Sequence, residues 1–301
     1  MTDMVRSEIV REIAAPKGSL LPVTVISLCL LVIWYVVAIP LNAVVADNKI
    51  ADAGGGLWNT LAVSWNLPRP VLPSPHQVII EVWNTVFMIA PWKVKSLLYH
   101  CWVTLSSTLL GFALGTLLGI GLAIAIVHSK ILSKALMPWI IASQTIPILA
   151  IAPMIIVVLG SMGLTGLLPK SMISMYLCFF PVTIGMVKGL NSPDIIHRDL
   201  MRTYNATGIE VLWKLRFPAA VPYLFTSLKV AIAIALTGAI VGELPTGAVA
   251  GIGARLLVGS YNGLTLMIWG ALVAASVMAA LLVWFVGFAE RRTLKAMGVK
   301  P

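Results

Sequence analysis

Few side chains in this sequence stand where they could do chemistry. Glu243 is the sole acid between Glu210 and Glu290, and it precedes Pro245 and the glycine-rich stretch Thr246 to Gly253. A carboxylate at membrane depth costs about 3 kcal/mol unless it is paired or wet, so Glu243 marks a pathway, a gate or an ion pair. Arg255 is the candidate partner. Gln144 and Thr145 lie just before Pro147, with Pro153 beyond. Prolines there free backbone carbonyls, and broken helices are tolerated where they face protein or a water-filled path. Gln144, Thr145, Pro147 and Glu243 are therefore the candidate pathway or gate residues. The four histidines (His76, His100, His128, His197) have neither metal nor triad spacing. Cys29, Cys101 and Cys178 sit far apart in apolar sequence and read as small hydrophobes. A phosphate-binding Gly-x-x-x-x-Gly-Lys-Ser/Thr loop is absent. A membrane enzyme would need polar side chains converging at one depth, and no such set is visible.

The elements that position these residues are membrane spans. Of 301 residues, 59% are apolar and 11% charged, and the mean hydropathy is +0.97. A soluble domain carries about 25% charged residues. The net charge of +10 is gathered between charge-free stretches, a pattern of membrane topology rather than nucleic-acid binding. The gaps between charges predict spans at 20–46, within 96–127, at 135–159, within 171–187, at 222–244 and at 265–289. A helix needs about 20 residues to cross the hydrocarbon. The first run is too long for the apolar core of a signal peptide, so it is expected to be an uncleaved span. With both termini cytoplasmic, fifteen of the 21 lysines and arginines fall inside, among them Arg6, Arg11, Lys17 and Lys300, as the positive-inside rule favours. Gly111, Gly115 and Gly119 share one face of the second span, a spacing that lets helices approach closely. Lys229 is expected to snorkel toward the inner surface. The chain divides at residue 95, with a tail, first span and periplasmic segment before it and a five-span core at 96–301.

The polar stretch from Lys188 to Pro218 is the most informative. Ser192, Pro193 and Asp194 offer a cap, a first-turn proline and a charge for a helix start. Asp194 and Arg198 are spaced as i,i+4 partners. The helix should stop at Asn205, a residue that tolerates the left-handed conformation. Thr207, Gly208, Ile209 and Glu210 form a capping box that starts a second, amphipathic helix, which Pro218 should end. Two short helices with a sharp break would present a knob to a partner. An ordinary loop on lipid headgroups remains the alternative at this point.

The residues Asp199-Leu200-Met201-Arg202-Thr203-Tyr204-Asn205, followed at a distance by Pro218, resemble the "EAA" loop of binding-protein-dependent ABC importer permeases. That loop has an acid, two small residues, a glycine six positions after the acid and a proline thirteen further on. Leu200 and Met201 replace the small pair, and Asn205 replaces the glycine. The runs Gln144-Thr145-Ile146-Pro147, Ala152-Pro153, Leu72-Pro73-Ser74-Pro75 and Phe217-Pro218-Ala219-Ala220-Val221-Pro222 are similar to the nitrate/sulfonate/taurine-type branch. The resemblance implies an all-α integral membrane protein with six transmembrane helices, of the type I-like importer fold, with cytoplasmic coupling helices at 190–218. Asp199, Leu200, Met201, Arg202, Tyr204, Asn205, Ala206, Thr207 and Gly208 would then couple to an ABC ATPase. It further implies that this chain binds no cofactor and that the partner ATPase uses ATP and Mg. A periplasmic or lipoprotein solute-binding protein would deliver solute to a pair of permease copies in the bacterial inner membrane. A nitrate, sulfonate or taurine-like solute is expected, with a pyrimidine or vitamin precursor as the alternative. The rival from another class is a self-sufficient secondary transporter, which needs coupling charges near mid-membrane.

Overall fold

The computed structural model describes residues 20–52, 54–245 and 247–298. The expectations placed on Arg6, Arg11, Lys17 and Lys300 lie outside these residues. Within them the regular structure is entirely helical. The helices are α1 (Leu20–Asp52), α2 (Leu57–Trp65), α3 (Pro75–Phe87), α4 (Leu97–His128), α5 (Lys130–Ser143), α6 (Ile148–Ser161), α7 (Leu167–Leu190), α8 (Ile195–Thr203), α9 (Gly208–Val211), α10 (Phe217–Glu243), α11 (Ile252–Tyr261) and α12 (Thr265–Ala296). Five helical stretches are long and apolar enough to cross a membrane, and the bent pair α5 and α6 makes a sixth if counted as one span. The chain forms two compact units, one ending at Ile80 and the other starting at Glu81.

In the first unit α1 exposes apolar side chains on all sides along its first half, as a helix in lipid does. One face of its later half, at Ala38, Asn42 and Ala46, is covered by the segment that follows it in sequence. Asn42 is fully buried, and its amide nitrogen donates to the carbonyls of Ser64 (2.9 Å) and Leu72 (2.8 Å). Its side-chain oxygen accepts from the N–H groups of Val71 (2.9 Å) and Leu72 (3.1 Å). The indole of Trp34 donates to the carbonyl of Pro73 at 2.9 Å. A proline-rich strip cannot satisfy its own carbonyls by helix formation, so these side chains do it. The sequence offered no sign of this clasp.

The core of the second unit is α7, packed along its length between α4 and α10. Glycine makes that approach possible. A Cβ on Gly111 would lie 2.5 Å from Ser174, one on Gly115 would fall on the Cys178 sulfur, and one on Gly119 would lie 2.9 Å from Val182. Gly189 and Gly238 do the same for α10, opposite Ala220 and Ser174. The predicted glycine face is thus a helix-packing face. Cys178 is buried within it, while Cys29 is exposed on α1.

Three spans differ from their expected form. The third is not a mildly kinked helix; α5 and α6 meet at 101°. Pro147 carries no N–H and drives the residue before it away from helical geometry, so the ladder fails there completely. The fourth runs to a 24-residue helix. Its added first turn contains Pro169, which a first turn tolerates. In the fifth, Pro218 does not end the preceding helix. The chain stays helical from Gly208, widens into a π turn at Leu212–Arg216, and continues as α10 with a proline in its first turn. A π turn leaves room for a residue without an N–H, and a first-turn N–H has no intrahelical partner to lose. Lys229 also departs from expectation, pairing with Glu290 of α12 instead of reaching the surface alone.

Candidate functional site

Two groups of polar residues sit at opposite ends of the second unit. Residues at the starts of α4 and α7 and the end of α10 gather at one end. The end of α4, the start of α10 and α8 gather at the other.

At the second end lies the loop that the sequence singled out. Helix α8 has no buried residue. It stops as a Schellman turn, in which the Asn205 N–H donates to Arg202 O (2.9 Å) and the Ala206 N–H to Met201 O (3.0 Å). Asn205 has φ 50°, the only non-glycine at positive φ among the described residues. The capping box then restarts the helix. The Glu210 N–H donates to Thr207 Oγ1 at 3.3 Å, and the Thr207 N–H donates to Glu210 Oε2 at 2.9 Å. Lys214 holds the same carboxylate at 3.0 Å. Leu212 anchors the segment in a cluster with Ala123, Met186, Leu190 and Ala220. Large apolar side chains stay exposed here, Ile196, Leu200, Tyr204, Ile209 and Trp213, interspersed with charged ones such as Asp199 and Arg202. A contiguous exposed patch of such residues marks an interaction surface.

Two local expectations fail here. Ser192 does not cap α8; its hydroxyl donates back to Gly189 O at 2.7 Å, and Asp194 occupies the cap position without a side-chain bond. Asp194 and Arg198 form no ion pair. The carboxylate that is paired is Asp199, with Arg202 at 3.3 Å. The i,i+3 spacing of Asp199 and Arg202 is as good a geometry as the predicted i,i+4, and both side chains are exposed enough to meet.

At the other end Glu243 is fully buried. Thr104 Oγ1 donates to its Oε1 at 2.8 Å, and the Gly253 N–H donates to Oε2 at 2.7 Å. The same Thr104 hydroxyl accepts the Ile252 N–H at 2.8 Å, so one side chain of α4 ties both the carboxylate and the turn. Gly251 has φ 129°, and a Cβ there would fall on the Glu243 carboxyl group. His100 completes the clasp: its Nδ1 accepts the Gly251 N–H (3.0 Å), and its Nε2 faces Val94 O (2.7 Å). Nδ1 also lies 2.9 Å from Gly251 O, so it faces both backbone groups of Gly251.

Arg255 is not the partner of Glu243. Its guanidinium reaches Glu81 Oε1 (3.3 Å) and Lys95 O (3.0 Å). Burial draws its pKa below the ordinary arginine value, with Glu81 acting in the opposite sense. Arginine was the wrong choice because backbone N–H groups and a hydroxyl satisfy a buried carboxylate as well as a cation does. Thr104, His100, Gly251 and Gly253 were missed as a set. The available hints were the hydroxyl run Thr104 to Thr108 in an apolar span and the glycines after Glu243.

Gln144, Thr145 and Pro147 lie at the break between α5 and α6, and all three are exposed. Thr145 Oγ1 donates to Ala142 O at 2.8 Å, and the Tyr176 hydroxyl donates to Ser143 O. None of the Glu243 partners named above comes from this break. Among the described residues no group of three or more His, Cys, Asp or Glu side chains is arranged to hold a metal.

A helical bundle whose long helices turn apolar faces outward defines a multi-pass membrane protein. Residues 115–295 match the family described as binding-protein-dependent transport system inner membrane component, and the chain belongs to that family. It is the membrane permease component of an ABC-type importer, a family of transport components rather than enzymes. It is 32% identical over 187 residues to a probable ABC transporter permease protein of Haemophilus influenzae, covering 62% of this chain and 71% of that one. It is 32% identical over 239 residues to a riboflavin transport system permease protein of Chloroflexus aurantiacus, covering 78% and 83%. A nitrate import permease protein of a Synechocystis species is 27% identical over 229 residues, covering 75% and 81%.

Proposed function

We propose that this permease carries a small polar or anionic solute across the bacterial inner membrane, in the class of nitrate, a sulfonate or taurine. A pyrimidine or vitamin precursor is the second reading, favoured by likeness to a riboflavin system permease at slightly higher identity than to a nitrate permease. In this reading two copies pair, each engages an ABC ATPase that uses ATP and Mg, and a solute-binding protein docks on the outer face. Both termini are cytoplasmic, with α5 and α6 counted as one broken span.

The observation that carries the proposal is the segment from Ile195 to Arg216. Its first helix has no fully buried residue, yet a Schellman turn at Asn205 and a capping box at Thr207 fix the segment's shape. A segment held rigid but left uncovered is preorganised for docking. Asp199 to Gly208 would seat on the ATPase, and closure of the ATPases would push on Leu212 and, through the π turn, on α10. Gln144, Thr145 and Pro147 would line the pathway at the break. Glu243 would serve the gate as the clasp that holds the outer turn to α4.

The test is reconstitution of the permease in lipid vesicles with its ATPase and binding protein, followed by uptake of labelled nitrate, taurine, an alkyl sulfonate and riboflavin. Uptake of one solute class that needs ATP and the binding protein is expected. Uptake driven by an ion gradient with the ATPase left out would contradict the reading and favour a secondary transporter.

A further inference from the structure

Behind the exposed face of α8 lies a cavity of about 330 Å³. Its wall carries His128 from the end of α4, Arg198 and Arg202 from α8, and Arg216 from the π turn, with Gly208 and Val127 between them. The lining residues include no carboxylate. Of the acids nearest in sequence, Asp199 pairs with the largely exposed side chain of Arg202, and Glu210 is taken by Lys214 and Thr207, which leaves Arg198 and Arg216 without a carboxylate among the described residues. Arg198 is only partly exposed, and its Nε is buried with no hydrogen-bond partner. The unpaired guanidinium groups of Arg198 and Arg216 line one hollow and repel one another, and an unmet buried N–H is costly. Planar forks of N–H donors match the oxygens of a phosphate-type anion, which would satisfy both.

We propose that this cavity binds a phosphate-type oxyanion, held by Arg198, Arg202 and Arg216 with His128 at its edge. Its occupant ties α8 to the end of α4, so that the coupling segment is stiffened by ligand as well as by sequence. The proposal concerns a site separate from the transport path and does not depend on which solute is carried. The same chemistry is offered by a free oxyanion and by the phosphate headgroup of an anionic lipid, since the end of α4 is the end of a span.

The experiment uses the full chain in nanodiscs of phosphatidylcholine. Thermal unfolding, followed by tryptophan fluorescence, is measured against sodium phosphate and against sodium chloride at matched ionic strength. A second arm adds phosphatidic acid to the disc and reads retained lipid by native mass spectrometry. A saturable rise in melting temperature with phosphate beyond that with chloride identifies a free anion as ligand. Retention of phosphatidic acid without a phosphate effect identifies the headgroup. Either result supports the site, provided the doubly substituted Arg198→Gln, Arg216→Gln chain weakens that binding about tenfold or more, as loss of two charged donors should. Lys214→Gln, outside the cavity, should leave it unchanged. If wild type gains no more from phosphate than from chloride and retains no phosphatidic acid, the proposal is wrong. Equal binding by the double variant would overturn it as well. The wild-type comparison stands even if that variant does not fold.

Discussion

Asn205 takes a left-handed backbone that most residues resist, at φ 50°. Glycine would hold it with less strain, so Asn205→Gly should leave thermal stability and ATPase stimulation near wild type. A β-branched residue there costs about 2 kcal/mol, so Asn205→Val should lower the melting temperature and weaken coupling. Equal melts for the two variants would remove the backbone argument. This position was legible because its chemistry is local: one residue type, one conformation, and a capping box two residues on. Glu243 was legible only as a rare acid. Of its partners, Thr104 comes from over a hundred residues away, and no spacing rule links it to Glu243. Thr104→Val would strip a donor from the carboxylate and an acceptor from the Ile252 N–H. A buried unmet group costs about 1–3 kcal/mol, so unfolding in detergent should shift down by several degrees, whereas Thr104→Ser should restore most of the loss. An unchanged melt for Thr104→Val would show that the clasp carries no stability.

At the scale of elements, the glycine faces decide how the spans meet. Gly115 and Gly121 lie on the same helix, yet a Cβ on Gly115 would strike Cys178, and one on Gly121 meets nothing within 4 Å. Gly115→Val should therefore separate α4 from α7 and abolish a folded, monodisperse protein in detergent. Gly121→Val should be tolerated; size-exclusion profiles of the two check this, and matching profiles would contradict the packing. Span positions were readable because hydropathy reports burial in lipid directly. The right-angle break at Pro147 and the helix running through Pro218 were not. A proline states that an N–H is missing, but whether the chain stops, bends or widens depends on what lies beside it. At Ser143 the neighbour is Tyr176, whose hydroxyl takes the freed carbonyl. At Pro218 a π turn absorbs the irregularity. The clasp of Asn42 was hidden for a related reason, since a polar residue in an apolar run says nothing about which later segment it will hold.

For the molecule as a whole, the proposed orientation puts an inward-facing knob and an outward-facing clasp on one bundle. Orientation can be checked in a cysteine-free background, with single cysteines placed at Asn48 and Arg292. An impermeant thiol reagent applied to intact cells should label the first and spare the second. The reverse pattern would invert the protein. The central claim is that the segment around Asp199 engages the ATPase, and that Glu243 acts at the far end. The most direct measurement compares Asp199→Lys and Glu243→Gln, each purified in lipid, for co-purification of the ATPase and for ATPase stimulation by loaded binding protein. Asp199→Lys reverses charge on an uncovered helix and should lose the ATPase or uncouple it while the bundle stays folded. Glu243→Gln places an amide donor against the donors of Thr104 and Gly253 and should keep the ATPase bound while transport falls. If Asp199→Lys retains normal assembly and stimulation and Glu243→Gln loses the ATPase, the two ends have been assigned the wrong way round.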